Sequence, residues 1–412
     1  MQAVVVIPES SVLQRYADAE TVLTREIAGV PLLVRVIATA RRAGADALLV
    51  IWPQDVDRSF WDRCVASLLL DGLPIRHVVQ RFDPREPGSW AEIGPDLEQE
   101  FLWLPWNFVT HKRALTELAP QAAHPATWDA PALLQRQAQS SAAGIRLVPD
   151  AVEGVRITPQ TGTAEAERFL VARSGKPSDG IYSRFNRWLC RPAVRLLTHT
   201  PVTPNMVTLG GLAVAIIAAY MYARGFYAAY VGGALLFFLS GLFDEADGML
   251  ARIKFRESVF GTWFEGFVDE ATYLLLFGGI TAGLYRERGP RELTYGYLLI
   301  IGCVLSIAVT RLQRKLATAP GRPHEYAGRL NRLLESDSSN LVSRVVRQIH
   351  IFIKKGVVVH YLLIFTVLGG LPWLLRLAAL GANLTWTLAL YFNRRFFRRA
   401  KAGAGISEAQ IA

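Results

Sequence analysis

The chain has 412 residues, a formal charge of +10 and a mean hydropathy of +0.23, with 51% hydrophobic and 19% charged residues. That balance is unusually apolar for a soluble protein, and the length allows two or three domains. Three cysteines, Cys64, Cys190 and Cys303, are too dispersed for a disulfide framework or a metal cluster. The basic charge flanks apolar blocks, as in Arg184, Arg187, Arg191 and Arg195, Lys354 and Lys355, and Arg394, Arg395, Arg398 and Arg399. That placement argues against nucleic acid as a partner and for an anionic lipid surface.

From the N-terminus, residues 3–7 (AVVVI) predict a buried strand, 30–44 a helix closed by Gly44, and 47–52 (ALLVIW) a second strand. Val78–Phe82 and Phe101–Leu104 supply further strands. The alternation predicts an α/β, doubly wound, soluble domain over 1–150. The Pro-, Gly- and acid-rich segment 83–100 reads as a surface loop, and 135–144 as an Ala/Gln/Ser-rich connection. The first apolar run, Ala3–Ile7, is far too short for a cleavable signal, so we expect this domain in the cytoplasm.

Gly29-x-Pro31-Leu32-Leu33-x-Arg35, Ala40-Arg41-Arg42-Ala43-Gly44 and the strand at 47–52 resemble the nucleotidyltransferase family that makes CDP- or UDP-linked small molecules. The resemblance implies a Gly-rich phosphate loop after the first strand. Here that position reads Pro8-Glu9-Ser10-Ser11, with no glycine to let the backbone close on phosphate and with Glu9 to repel it. It also implies a metal-binding Asp after a central strand, where this chain has Asn107. We expect a degenerate, catalytically silent domain; a divergent active site or retained nucleotide binding is the alternative.

Residues 151–200 read as a linker and an interfacial amphipathic helix. Over 181–197, Ile181, Phe185, Trp188, Leu189, Leu196 and Leu197 form an apolar face. Arg184, Arg187, Arg191 and Arg195 form a basic one, and Pro192 marks a kink. These arginines read as snorkelling anchors, or as contacts to a bound phosphate.

An all-α domain of six spans is expected over 201–398, at about 205–222, 227–248, 261–285, 294–313, 356–372 and 374–393, followed by a tail at 399–412. Trp373 and Arg376 mark the last turn. An even count and the basic clusters put both termini in the cytoplasm, with the protein in the inner or cytoplasmic membrane. Arg311, Arg314 and Lys315, at the end of the fourth span, read as positive-inside anchoring or as contacts to a phosphorylated acceptor.

Between the second and third spans lies Asp244-x2-Asp247-Gly248-x2-Ala251-Arg252-x8-Gly261-x3-Glu265-x3-Asp269. Asp244, Asp247 or Gly248, and Ala251 share one helix face; Gly261, Glu265 and Asp269, four apart, share another. Two antiparallel helices bring four carboxylates together, a charge density that needs divalent metal or strong basic partners. Gly248, Ala251 and Gly261 leave room for a close ligand, and Arg252 is placed to neutralise phosphate. Glu245, Glu257 and Glu270 fall off these faces and read as solvated or loop residues, and Arg256 as a surface charge. An ion-binding helix pair of a transporter is the competing interpretation.

This segment, with Pro204-Asn205, resembles the CDP-alcohol phosphotransferase family over roughly 181–395. The resemblance implies transfer of a substituted phosphoryl group from a CDP-linked alcohol donor to an alcohol acceptor, with release of CMP. It makes Asp244, Asp247, Glu265 and Asp269 ligands of Mg2+, with Mn2+ as the alternative, and Asp269 the general base. Asp244, Gly248, Ala251, Arg252 and Gly261 line the CDP site. A homodimer is implied, and the acceptor is phosphorylated in some members. Family members carry Asp where this chain has Glu265; the longer arm either reaches the same ion or weakens the site. A weakened member that binds nucleotide-linked lipid is therefore the runner-up.

Overall fold

The computed structural model describes residues 2–16, 21–56, 61, 72–83, 87–98, 100–116, 127–129, 152–176, 180–317 and 355–392. The stretch 135–144, the segment 318–354, Cys64, the basic pairs after 393 and the tail at 399–412 lie outside them. The chain forms two compact units. The first comprises Met1–Pro177, Arg191–Val202 and Met249–Glu257; the second comprises Ser178–Cys190, Thr203–Gly248 and Ser258–Ala412.

In the first unit, β1 (Gln2–Val6), α1 (Ser10–Leu13), β2 (Glu26–Ile27), β3 (Val30–Pro31), α2 (Leu32–Arg42), β4 (Ala47–Trp52), β5 (Ile75–Val79), α3 (Pro87–Ile93) and β6 (Glu100–Pro105) follow in order. After them come β7 (Phe108–Thr110), α4 (Lys112–Thr116), β8 (Thr127–Asp129), β9 (Gly154–Arg156) and α5 (Thr163–Arg173). The sheet runs β5-β4-β1-β6-β8, parallel except for the β6–β8 pair. This is a mixed α/β order, with the first strand central. Val4, Leu49, Ile51, Ile93, Phe101 and Trp103 fill its core. Ile93 belongs to α3, so the expected loop at 83–100 is corrected. Ile93 is fully buried and anchors α3 and the 3-10 turn that follows it, Gly94–Asp96, against the sheet.

The turn before α2 rests on Gly29, whose φ is +74° and whose missing side chain would meet the Thr198 carbonyl at 2.3 Å. Lys254 donates to the carbonyls of Leu197, Thr200 and Val202 at 3.0, 2.6 and 3.2 Å. A cation there satisfies acceptors left over at a helix C-terminus.

The helices α6 (Ile181–Thr198), α7 (Pro204–Ala223), α8 (Tyr227–Ile253), α9 (Val259–Arg288), α10 (Arg291–Ala317), α11 (Lys355–Val367) and α12 (Leu371–Phe392) complete the chain. Pro204 opens α7 at its first turn, where Thr203 accepts from the Met206 amide. On α6, Ile181, Phe185, Trp188, Leu189 and Leu196 are exposed, as an interfacial face requires.

Among the described residues five helices, not six, are long and apolar enough to cross a membrane. The fifth expected span is the exception. Its described helix has 13 residues, about 20 Å at 1.5 Å per residue, and it stops before Gly369, whose φ is +71°. The turn therefore falls at 368–370. Trp373 and Arg376 lie inside α12, where Arg376 donates to Glu292 at 3.0 Å. Tyr222, Phe237, Leu276, Ile280, Leu284 and Leu362 are central to the second unit's core.

Gly279 and Gly283 bring α9 against α7. An added methyl group would meet the carbonyls of Ala219 and Tyr222 at 2.3 and 2.0 Å. Gly233 abuts Tyr222 and Ala218, whereas Gly278 faces open space. Most of these small residues thus serve packing within the chain.

Candidate active site

Asp244 and Asp247 sit one turn apart on α8, and the second unit places both in the lining of one small pocket. Thr208 and Gly211 of α7, Ser240 of α8, and Val268 and Thr272 of α9 complete its lining. Asp247 is 3% exposed, and the Thr208 hydroxyl donates to its Oδ2. The Ser240 hydroxyl donates to the Gly211 carbonyl at 2.9 Å and holds α8 close to α7. A buried carboxylate is tolerable only with such donors.

On α9, Ser258 caps the first turn by accepting from the Gly261 amide at 2.9 Å. A side chain at Gly261 would approach Ser258 and Asn205 at 3.1 and 3.4 Å. Glu265 and Asp269 follow at one-turn intervals, both half-buried, and neither lines the pocket of Asp244 and Asp247. The two acid pairs are nevertheless linked by Tyr273. Its hydroxyl is buried, makes no hydrogen bond among the described residues, and lies within electrostatic reach of both Asp269 and Asp244. Gly248 belongs to the second unit; Ala251 and Arg252, further along α8, belong to the first, where the Arg252 Nε donates to the Ser174 carbonyl.

Thr208, Ser240, Thr272 and Tyr273 were not singled out in the sequence, although polar residues inside spans are a usable signal for function. Of the three acids expected to be solvated or in loops, Glu257 is an exposed loop residue, whereas Glu245 is largely desolvated. Glu245 accepts from Arg187 at 2.8 Å, with 12% and 11% of the side chains exposed. Glu257 pairs with Arg42 and lies 3.8 Å from Lys112, and Glu270 pairs with Arg311. Arg187 is thereby corrected from an anchor to an internal ion-pair partner, and Arg195 likewise lies 3.5 Å from the buried Glu167. His360 packs among the rings of Tyr182, Phe185 and Phe238. The side chains of Arg314 and Lys315 lie outside the description.

In the first unit, the position expected for a phosphate loop is already bonded. The Ser10 amide donates to Asp55 Oδ2 at 2.9 Å, which sets a carboxylate where an anion would go. The Asn107 amide donates to the Ile157 carbonyl at 2.6 Å.

The model of the CDP-alcohol phosphatidyltransferase family matches residues 201–335, which include every acid of the motif. An archaetidylinositol phosphate synthase of Methanothermobacter thermautotrophicus is 33% identical over 98 residues. That alignment takes in 23% of this chain and 49% of the relative, so the chain spans about half the length of the curated relative it matches.

The family match implies dependence on Mg2+. The donors suit a hard cation, being carboxylate oxygens beside a buried hydroxyl without a hydrogen bond among the described residues. Their gathering is looser than a metal cage. Among the described residues no three acidic, histidine or cysteine side chains form a group that could hold an ion. Residues 201–335 thus resemble a domain of the CDP-alcohol phosphatidyltransferase family.

Proposed function

We propose that the protein is a membrane transferase that moves a substituted phosphoryl group from a CDP-alcohol to an alcohol acceptor and releases CMP. The observation that carries this is the pairing of Asp244 with the buried Asp247 in one small pocket, inside the segment that matches the family. Asp269 takes the proton of the acceptor hydroxyl. The acceptor oxygen forms its bond to the phosphorus on the alcohol side of the diphosphate. The bond from that phosphorus to the CMP oxygen breaks, and CMP leaves as a phosphate monoester. Thr208 holds the Asp247 carboxylate in place by its hydrogen bond. Asp244, Asp247, Glu265 and Asp269 would hold Mg2+, which when bound would offset the charge of the diphosphate. Gly248 and Gly261 give room for the donor, and the roles of Ala251 and Arg252 beside it rest on the resemblance alone.

The archaeal relative's name gives its product as archaetidylinositol phosphate. The same class here makes a CDP-lipid the donor and a phosphorylated inositol the acceptor; a CDP-polyol with a lipid acceptor is the other pairing. The first unit is a nucleotidyltransferase-like domain without transfer activity, a reading supported by Asp55 against the Ser10 amide. The basic residues at 184–195 support a cytoplasmic N-terminus and contact with anionic lipid. A homodimer completes the proposal.

The test is CMP release by the purified full chain with Mg2+, across a panel of CDP-alcohols and acceptors. Release that disappears in Asp269→Asn supports the reading. Binding of a CDP-alcohol without turnover anywhere in the panel points instead to a weakened member, the reading that Glu265 favours. Ion flux in vesicles without CMP release points to transport.

A further inference from the structure

We propose that Tyr273 is a positioning residue of the transferase, its buried hydroxyl donating to the Asp269 carboxylate and holding that carboxylate toward the acceptor hydroxyl. The inference rests on the reading of Asp269 as the base and adds to it a residue outside the acidic motif.

Tyr273 lies one turn after Asp269 on α9. Long side chains in a helix lean back toward its N-terminus, over the residue four positions earlier. The phenol therefore leans over the turn that carries Asp269. Two rings hold it there. Phe277, one turn further on, stacks with it at 5.9 Å between centroids and 19° between planes. Phe237 of α8 meets it edge-on at 6.5 Å and 60°. Phe237 is fully buried and lies two turns before Asp244, at i and i+7. The α8 face that carries Asp244 is thus the face that Tyr273 packs against.

The two ends of this side chain have different needs. The ring packs against the core of the second unit, beside Phe237, Leu276 and Ile280. The hydroxyl is shut off from solvent and makes no hydrogen bond among the described residues. A buried donor in that condition costs stability, and a polar group of this kind inside a span is a marker of function. The groups within its electrostatic reach are, largest effect first, Asp269, Tyr361, Asp244 and Cys303. The two acids are the strongest acceptors among them, because a hydroxyl bonds a carboxylate more strongly than a neutral group. Asp269 leads, and it alone is on the same helix.

In the proposed reaction Asp269 offers one carboxylate oxygen to the proton of the acceptor hydroxyl. A hydrogen bond from Tyr273 to the other oxygen fixes the rotation of the carboxylate and leaves the first oxygen open to that proton. The base is then oriented by a third group. Tyr273 keeps its own proton throughout, and only Asp269 changes protonation in this step.

Tyr273→Phe removes the hydroxyl and keeps the ring. The purified full chain is assayed in detergent with Mg2+, using CDP-diacylglycerol and inositol phosphate or whichever pair of the panel gives the fastest CMP release. The variant's kcat should fall about 10- to 100-fold, with KM for donor and acceptor unchanged. Its melting temperature should equal or exceed that of wild type, because an unsatisfied hydroxyl is gone. Tyr222→Phe is the control: its buried hydroxyl bonds that of Thr366 at 3.1 Å, so it should melt earlier and keep its kcat. In an Asp269→Asn background, Tyr273→Phe should lower the residual rate no further. A fall in rate matched by a fall in melting like that of Tyr222→Phe, a change in KM alone, or an undiminished effect in the Asp269→Asn background overturns the assignment. An unchanged kcat in Tyr273→Phe overturns it too, and leaves the transferase reading standing, since the wild type still releases CMP. No release by the wild type across the panel removes that reading and this inference with it.

Discussion

The guanidinium of Arg187 donates to the carboxylate of Glu245 at 2.8 Å, and only 11% and 12% of the two side chains remain exposed. This joins α6 to α8 one residue from Asp244. Removing one member of such a pair leaves the other desolvated and uncompensated, which costs more than the intact pair contributes. Arg187→Gln should lower stability by about 3 kcal/mol. The double variant with Glu245→Gln should recover part of that loss, as thermal or denaturant melts of the purified chain will show. Equal melts for wild type and Arg187→Gln would mean that the pair is solvated in practice.

Asp269 and Glu265 separate two questions. As the proposed base, Asp269 cannot be replaced by an amide, so Asp269→Asn should slow CMP release by roughly 10²- to 10⁴-fold. Glu265→Asp shortens the arm by one methylene. If the longer carboxylate is what weakens the site, this variant should turn over faster and require less Mg2+ for half-maximal rate. A loss of rate shows instead that neighbouring residues are built around the glutamate.

Metal removal offers a direct check. Excess EDTA should abolish CMP release, with recovery on adding Mg2+, because four carboxylates and a diphosphate repel one another without a cation. Full activity in EDTA would remove the metal from the proposal.

The α7–α9 contact depends on glycine. A methyl group at Gly283 would overlap the Tyr222 carbonyl, at 2.0 Å. Gly283→Ala should therefore destabilise the second unit by about 1–3 kcal/mol. Gly278→Ala, which faces open space, should be close to neutral. Comparable melts for the two variants would show that the helices separate freely.

His111 makes the first unit sensitive to acid. Its folded pKa lies below the usual value, so the unfolded chain takes up the proton first. From about 6.5 down to the folded value, the unfolded state binds more protons. The contribution of neutral His111 is complete above that window and is lost as pH falls through it. Urea melts at pH 7.5 and 5.0 should show a smaller acid loss in His111→Gln than in wild type.

Strand alternation at 3–7 and 47–52, the capped start of α7 at Thr203-Pro204 and the acids of the motif were legible because each depends on a short stretch of chain. So were most of the spans, since run length and apolarity are properties of the segment itself. The segment 83–100 was misread because its Pro, Gly and acidic residues read as a loop, whereas Ile93 is buried against the sheet, which local composition does not show. Among the described residues the helix expected at 356–372 ends before Gly369, where the backbone turns at positive φ, a point that apolar run length does not mark.

The sequence by itself determined that an α/β half precedes a membrane-helical half, and that Asp244, Asp247, Glu265 and Asp269 lie on helix faces suited to one site. Periodicity and residue chemistry suffice for that. Only the tertiary structure decided that Asp247 is buried beneath the Thr208 hydroxyl and that Glu245 is consumed by Arg187. These relationships join residues 39 and 58 positions apart, and the free energy of each pair is set by burial and by the neighbours that folding supplies, which no local pattern encodes.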